Sequence, residues 1–305
     1  MKTLIIGGSG LFGLNWALKQ YQTNQIILGL HHKHVDFNGV ASINIDYNNY
    51  NILEKTIYEL EPDLIINSAA ITNVEFCELN HDLTYKTNVQ LAFDLAKISN
   101  KYNFKFLHIS TDHLFDGNNE IYNENAIPKP LNQYAKSKAE AEEKVLSINK
   151  KALITRTNFF CWGPIYRKTF SENIVDSLRN NRTLNLFSDV YYTPIEISEL
   201  IESILYLLNN NNNGIFNITS DNKISKYDFG VLIAKHFDLD YNLIKSDKII
   251  NRSSLVIRPK NMSLSNSKIK SEYFNFNGDI TYNINRFKLY EESLNFKILH
   301  NLNYS

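Results

Sequence analysis

A glycine-rich segment at the start of the chain most constrains the fold. An apolar run, residues 3–6, breaks into Gly-Gly-Ser-Gly-Leu-Phe-Gly, and a helical pattern follows. Glycine has no Cβ, so it can adopt left-handed dihedrals and let the backbone approach a ligand, and the start of a helix suits a pyrophosphate. The G-x-x-G-x-x-G spacing is weak alone, but strand, loop and helix in this order predict a dinucleotide-binding loop. The predicted cofactor contacts are Gly7, Gly10, Leu11, Phe12 and Gly13.

The end of the next predicted strand, residues 25–30, carries a basic cluster made of His31, His32, Lys33 and His34. An acidic residue at this place accepts a hydrogen bond from a free ribose 2′-hydroxyl, whereas a basic cluster attracts a 2′-phosphate. We therefore expect NADP, with NAD less favoured. Asp36, slightly further on, keeps NAD open, and a solvated histidine-rich turn is the structural alternative.

Predicted strands and helices then alternate, with strands at residues 41–45, 62–67, 104–109 and 151–155. This alternation predicts an α/β fold, a Rossmann-type doubly wound parallel sheet. Asp46, after the strand 41–45, could cap the next helix or touch the adenine. Ala69 and Ala70 follow the strand 62–67 and are small enough for a cofactor to lie against the backbone.

Chemistry-bearing residues follow the strand 104–109 and open the next helix. Thr111 and Asp112 lie where that strand ends, at the sheet edge where ligands bind. Tyr134 and Lys138 are four residues apart, so they share one helix face. Because tyrosine has an unperturbed pKa of about 10, we expect the Lys138 ammonium to lower the pKa of Tyr134. Asn88 interrupts a helix, capped by Asp82 or Thr84, with an amide that can hold a backbone carbonyl.

Composition excludes several classes of protein. The 32 basic and 32 acidic residues cancel, which disfavours nucleic acid as a partner. Cys77 and Cys161 have no metal-type spacing, and no apolar run approaches the roughly 20 residues needed to span a bilayer. The glycine loop lies where a signal peptide would have its apolar segment. We expect a reduced, cytoplasmic protein without a metal or a membrane partner, and a homodimer is left open.

The second half of the chain is less regular. We expect a dinucleotide-binding domain over residues 1–158 and mainly a substrate-binding lobe over 159–305, with segments near 184–218 returning to the main sheet. Arg258, before a proline in a loop, suits a diphosphate. Trp162 is more typical of a core position, but its loop also leaves a nucleotide or sugar contact open. The tail after Phe274 has no functional interpretation.

The chain resembles the extended short-chain dehydrogenase/reductases, and among them the dTDP-4-dehydrorhamnose reductase group of sugar-nucleotide reductases. The resemblance lies in the glycine loop, in NSAAITNVEFCE at 67–78, STDHLFDG at 110–117, YAKSK at 134–138, RTNFFCWGP at 156–164 and RPKNMSL at 258–264. It implies catalytic positions at Thr111, Tyr134 and Lys138, with Asn88 in support. It also implies that Lys138 holds the nicotinamide ribose, and substrate contacts at Thr72, Val74, Asp112, Trp162 and Arg258.

Three departures from the group bear on the substrate. His113 stands where the group has tyrosine, Glu75 where it has aspartate, and the segment after Arg156 is one residue longer. The expected activity is NADPH-dependent reduction of the 4-keto group of a dTDP- or UDP-linked 6-deoxyhexose. The alternatives are an epimerase or dehydratase of the same superfamily and a non-catalytic NADP-binding regulatory subunit. His113 argues against dehydration, because those enzymes carry glutamate there.

Overall fold

The computed structural model describes residues 1–31, 33–252 and 254–304, so the predicted cofactor contact His32 lies outside the described residues. The strands are β1 (Lys2–Ile6), β2 (Gln25–Leu30), β3 (Val35–Asp36), β4 (Ala41–Asn44), β5 (Leu64–Asn67), β6 (Lys105–Ile109), β7 (Leu153–Arg156), β8 (Phe159–Phe160), β9 (Leu184–Phe187), β10 (Tyr191–Tyr192), β11 (Ile195–Glu196), β12 (Gly214–Asn217), β13 (Ile224–Ser225), β14 (Ile244–Asp247) and β15 (Asn303–Tyr304). The helices are α1 (Leu11–Gln20), α2 (Tyr50–Leu60), α3 (Val74–Leu79), α4 (His81–Tyr85), α5 (Leu91–Tyr102), α6 (Gln133–Ile148), α7 (Phe170–Arg179), α8 (Ile197–Asn209), α9 (Lys226–His236), α10 (Ser267–Glu272), α11 (Ile280–Tyr290) and α12 (Leu294–His300).

The central sheet has seven strands in the order β12-β7-β6-β5-β1-β2-β4, and neighbouring strands are parallel. Alternate residues face opposite sides: Ile5 joins the core with α1, α8 and α12, whereas Leu4 and Ile6 join the core with α2, α5 and α6. The doubly wound fold predicted from the sequence is confirmed. The chain leaves β1 in opposite directions toward β2 and β5, which opens a crevice at the carboxyl ends of β1 and β5.

Side-chain caps explain where many helices begin. Asn132 accepts the N–H of Ala135 at the start of α6, and Thr169 with Glu172 forms a reciprocal capping box on α7. Two helices end on asparagine or glutamate in the left-handed region, Glu61 after α2 and Asn103 after α5. In each, the backbone N–H donates to a carbonyl of the last helical turns, of Ile57 and Tyr58 in α2 and of Ser99 in α5.

Two sequence expectations about elements were wrong. Strand β9 does not return to the main sheet but pairs in parallel with β14, while β12 does return and pairs with β7. Neither Asp82 nor Thr84 caps the helix that carries Asn88, because both lie inside α4, which continues through a π-helical turn, Lys86–Gln90, into α5. The tertiary packing of these segments decides both points.

The chain after Phe274 folds back onto the first domain. Helix α11 contacts β11, α12 packs on α1, and β15 pairs antiparallel with β3. Cys77 and Cys161 are buried free thiols. None of the helices in the described ranges combines the length and apolar composition that crossing a bilayer requires.

Candidate active site

A cleft of about 550 Å³ lies at the carboxyl ends of β1, β2 and β5. Its lining includes the predicted cofactor contacts Gly7, Gly10, His31, Lys33, Ala69 and Ala70. The structure therefore brings these six residues together from three separate loops. Such a place, at the switch point of a parallel sheet, is where α/β folds bind nucleotides.

The glycine loop leaves room for a ligand only because it lacks side chains. Gly7 has φ of +85°, and a Cβ there would stand 2.7 Å from the Ala69 nitrogen. A Cβ on Gly13 would stand 2.9 Å from the Gly8 Cα, so this glycine lets α1 pack against the loop. Within the described ranges no side chain caps α1 at Gly10, which leaves its first N–H groups available to an anion. The cleft fits the pyrophosphate of a dinucleotide.

Leu11 and Phe12, also predicted as cofactor contacts, direct their side chains into the core. Phe12 is buried and packs on Trp16 and Phe159, and Leu11 packs against the same core. Of these two residues, only the backbone at the start of α1 is left to meet a cofactor.

The end of the cleft beyond β2 is basic. Lys33 and His31 line it, and Arg167, which the sequence analysis missed, adds a guanidinium from the loop before α7. His34 is exposed, and Asp46 is exposed with its carboxylate accepting the Asn48 N–H at 2.9 Å. Ile45 and Tyr47 line the cleft on either side of Asp46. The expected helix cap at Asp46 was wrong, because Asn49 accepts the first N–H groups of α2, and the adenine contact of Asp46 stays a prediction.

Thr111, Asp112 and Tyr134 are buried together beyond the carboxyl end of β6. The Thr111 hydroxyl donates to Asp112 Oδ1 at 3.2 Å and accepts the His113 N–H at 3.3 Å. Tyr134 packs on Val74, and its ring meets the His113 ring edge-on at 5.8 Å between centroids. Burial raises the pKa of Tyr134 to about 12, a hydrogen bond with Thr111 lowers it and the Asp112 charge raises it. Tyr134 is thus a protonated phenol near neutral pH.

Lys138 does not act on Tyr134 as the sequence predicted. Its Nζ donates to the Ile109 carbonyl at 2.7 Å and lies 3.1 Å from His108 Nε2. Burial lowers the pKa of Lys138 to about 8, and Glu142 opposes the shift. Helical spacing does place both residues on one face of α6, but the long Lys138 side chain extends toward β6.

His108 couples the charge of Lys138 to the loop after β5. Asn67 Nδ2 lies 3.2 Å from His108 Nδ1, and Asn67 Oδ1 accepts the Ala69 N–H at 3.3 Å. With its pKa of about 8, Lys138 is protonated near neutral pH, donates to His108 Nε2 and leaves the ring proton on Nδ1. A neutral Lys138 amine allows the other tautomer, in which Nδ1 accepts from Asn67 Nδ2. The sequence analysis missed the contacts among Lys138, His108 and Asn67, because no regular spacing links these three residues.

Asn88 has a structural role. Its Oδ1 accepts the Ile71 N–H at 2.7 Å, and its Nδ2 donates to the Ile71 carbonyl at 3.0 Å and to Ser137 Oγ at 2.9 Å. The amide therefore ties the loop after β5 to α6. The π-helical turn that carries Asn88 also places Thr87 on the cleft wall.

A second pocket, about 280 Å³, lies next to Tyr134 on the side of the C-terminal lobe. The predicted substrate contacts Thr72, Val74 and Arg258 line it together with His113 and Glu75. Lys226, the first residue of α9, also lines this pocket and was missed, because nothing in its local sequence distinguishes it from a helix-surface lysine. Two cations that are distant in sequence, Lys226 from α9 and Arg258 from a loop, thus face one small cavity.

Charged and unpaired groups concentrate in this second pocket. Both carboxylate oxygens of Glu75 accept from Arg258 Nη2, at 2.6 and 2.7 Å. Arg258 Nε and His113 Nδ1 are buried and have no hydrogen-bond partner in the described part of the chain. Burial lowers the pKa of His113 to about 3, so its ring is neutral. Buried polar atoms without partners carry a desolvation cost that a ligand can relieve.

Asp112 lies behind the pocket, where burial raises its pKa to about 6, while a hydrogen bond from Asn158 and the Lys226 charge lower it. The Asn158 amide donates to Asp112 Oδ2 at 2.9 Å. The carboxylate is satisfied by protein groups and by Thr111, so it orients the hydroxyl beside Tyr134.

Trp162 occupies the core position that the sequence favoured, and not the substrate contact that it left open. It is 4% exposed, its indole N–H donates to the Phe287 carbonyl at 2.8 Å, and its ring stacks on Phe287 at 4.6 Å. Helix α11 covers it, and the sequence could not show that the tail folds over this loop.

Comparison with known proteins agrees with this geometry. The family model described as the RmlD substrate binding domain matches residues 1–287. A dTDP-4-dehydrorhamnose reductase of Aggregatibacter actinomycetemcomitans is 30% identical over 248 residues, covering 75% of this chain and 81% of the relative. The β subunit of methionine adenosyltransferase 2 of Bos taurus is 26% identical over 283 residues, covering 88% and 82%.

A solved structure shows the same likeness. The crystal structure of a hypothetical dTDP-4-dehydrorhamnose reductase from Sulfolobus tokodaii has a TM-score of 0.80 and 29% identity, covering 91% of this chain and 97% of that one. The resemblance inferred from the sequence motifs is confirmed.

Proposed function

Because the chain belongs to the RmlD substrate binding domain family, we propose that it is an NADPH-dependent reductase of a 4-keto group on a nucleotide-activated 6-deoxyhexose. The observation that carries this proposal is the position of Tyr134. Its ring contacts His113, which lines the second, cationic pocket. Ile71 on the cleft wall and Thr72 on the cavity wall are adjacent residues, so cleft and cavity meet there.

The chain's own residues divide the work between binding and proton supply. Gly7, Gly10 and the start of α1 would hold the cofactor pyrophosphate, and Lys33 with Arg167 would hold a 2′-phosphate. When bound, the nicotinamide supplies a hydride. Tyr134 is protonated at neutral pH and would give its proton to the oxygen that becomes a hydroxyl. Thr111 would turn its hydroxyl from Asp112 to the same oxygen.

The cationic pocket suits the diphosphate of a sugar nucleotide. Arg258 and Lys226 supply positive charge, and Glu75 prevents the Arg258 guanidinium from rotating freely. Lys138 would have to exchange the Ile109 carbonyl for a ribose hydroxyl in order to hold the cofactor as the family resemblance implies.

One assay separates the candidate reactions. The protein is incubated with NADPH and a panel of dTDP- and UDP-linked 4-keto-6-deoxyhexoses, and nicotinamide absorbance and sugar product are followed together. We expect one NADPH oxidised for each sugar reduced. Product without NADPH oxidation would identify an epimerase, and NADPH binding with no sugar turned over would support a regulatory protein like the methionine adenosyltransferase subunit.

The role of Tyr134 has its own test. We expect Tyr134→Phe to bind NADPH normally but to lose about 10²–10⁴-fold in turnover, the usual worth of a general acid. Tyr58→Phe, at an exposed position, is the matched control and should behave as the parent protein. Parental turnover by Tyr134→Phe would exclude the phenol as the proton donor.

A further inference from the structure

The C-terminal strand reaches the basic end of the cofactor cleft. Strand β15 pairs antiparallel with β3, where Tyr304 is opposite Val35, two residues after Lys33. The family model ends at residue 287, so α12 and β15 lie beyond the region by which the family is recognised. The match to the family model therefore does not account for this segment beside the cleft.

The Lys33 ammonium lies against two tyrosine rings that also contact each other. Its Nζ lies 4.2 Å from the centroid of Tyr166 and 4.7 Å from the centroid of Tyr304. The two ring centroids are themselves 4.7 Å apart. A lysine ammonium over aromatic faces is attracted to them and still keeps N–H groups for an anion.

This pair of rings is anchored to the glycine loop. The Tyr166 hydroxyl donates to the Ser9 carbonyl at 2.9 Å, and Arg167, the next residue, lines the cleft. Tyr304 is the only one of the two rings that comes from the tail, and it is partly exposed. Tyr304 of β15 thus contacts Lys33, Lys33 contacts Tyr166, and Tyr166 binds the glycine loop.

We propose that the C-terminal strand determines cofactor specificity: Tyr304 is a positioning residue that holds Lys33 for the 2′-phosphate of an adenosine ligand. A free lysine side chain loses considerable rotamer entropy when it binds an anion, and prior restraint by contact with two rings reduces that loss. The inference rests on the proposed preference for NADPH, but it assigns that preference partly to a segment outside the nucleotide-binding fold.

The test uses two ligands that differ by one phosphate, 2′,5′-ADP and 5′-AMP, titrated by calorimetry into the full chain. The parent protein should bind 2′,5′-ADP more tightly. Tyr304→Ala should reduce that preference by about two- to five-fold, the worth of one exposed cation–π contact, and leave 5′-AMP affinity unchanged. Tyr304→Phe keeps the ring and should retain the preference, as should Phe274→Ala, which alters a side chain that is 97% exposed.

A double variant shows whether Tyr304 acts through Lys33. Lys33→Met should remove more of the preference than Tyr304→Ala, and adding Tyr304→Ala to Lys33→Met should change nothing further. Equal loss for both ligands would indicate a merely structural effect and overturn the inference, as would an unchanged preference in Tyr304→Ala. If the parent protein itself shows no preference, the NADPH assignment fails instead.

Discussion

The buried ion pair between Glu142 of α6 and Arg156 of β7 offers the sharpest stability test. The two side chains are 4% and 2% exposed, and Arg156 makes contacts to both carboxylate oxygens at 2.7 to 3.1 Å. Glu142 also accepts from Ser110, the residue before Thr111. The pair therefore fixes the strand end that carries the candidate active-site hydroxyl.

Glu142→Gln keeps the shape but removes the charge. Arginine stays protonated, so the variant leaves a buried guanidinium facing a neutral amide, and breaking such a pair costs about 3–5 kcal/mol. For a large domain this corresponds to a fall in Tm of roughly 6–10 °C. Urea and thermal unfolding followed by circular dichroism measure both quantities.

Matched variants make this prediction refutable. Glu59→Gln removes an exposed partner, 62% accessible and 3.8 Å from Lys55, and should change stability by less than about 0.5 kcal/mol. Replacing both buried partners, Glu142→Met with Arg156→Leu, should recover much of the loss because no charge stays unpaired. The reasoning is wrong if Glu142→Gln unfolds within about 1 kcal/mol of the parent protein.

Three further predictions concern the site. Gly7→Ala should weaken nucleotide binding and destabilise the fold by more than Gly214→Ala. Both glycines have positive φ, but only at Gly7 would the new methyl group meet backbone atoms, those of Ala69. Equal effects of the two variants in unfolding and in nucleotide titration would contradict this. Folding raises the pKa of Asp112 to about 6, so ionisation of this carboxyl opposes folding. The stabilisation from the protonated carboxyl is therefore complete below about pH 4 and is lost as the pH rises through 6. Asp112→Asn should therefore gain stability over the parent protein at pH 8 but not at pH 4, and a pH-independent difference would refute the assignment. Trp162→Phe should lower stability by about 1–3 kcal/mol through the lost indole hydrogen bond and packing, with cofactor and sugar-nucleotide affinity unchanged; a selective rise in the substrate KM would restore Trp162 to the binding site.

Most of the nucleotide-binding half was predictable from the sequence. The strands predicted at residues 25–30 and 104–109 are β2 and β6, and the strands before Gly7 and Ala69 pair as neighbours in the sheet. These features depend on local signals: apolar periodicity, glycine at the turn and a short loop. A parallel sheet brings the carboxyl ends of successive strands to one edge. The sequence alone therefore predicted that Gly7, Ala69 and Thr111 lie at the same edge.

The role of individual side chains was decided by tertiary structure. Helical spacing placed Tyr134 and Lys138 on one face, but the direction of the Lys138 ammonium depends on His108 and the Ile109 carbonyl, which belong to another element. Lys226 joins Arg258 only because α9 packs beside the loop that follows β14. Such pairs are far apart in sequence and leave no periodic signal.

The tail shows the same division. Its asparagines and scattered aromatics predicted no function, yet α11 buries Trp162 and β15 brings Tyr304 to Lys33. The sequence by itself determined the sheet, its phosphate loop and the hydroxyl groups at its edge, because those follow from local patterns and from the handedness of parallel strands. Contacts between distant segments decided the charge state and the direction of the buried side chains, and also which segments cover the cleft. These properties depend on burial and desolvation, which exist only in the folded chain.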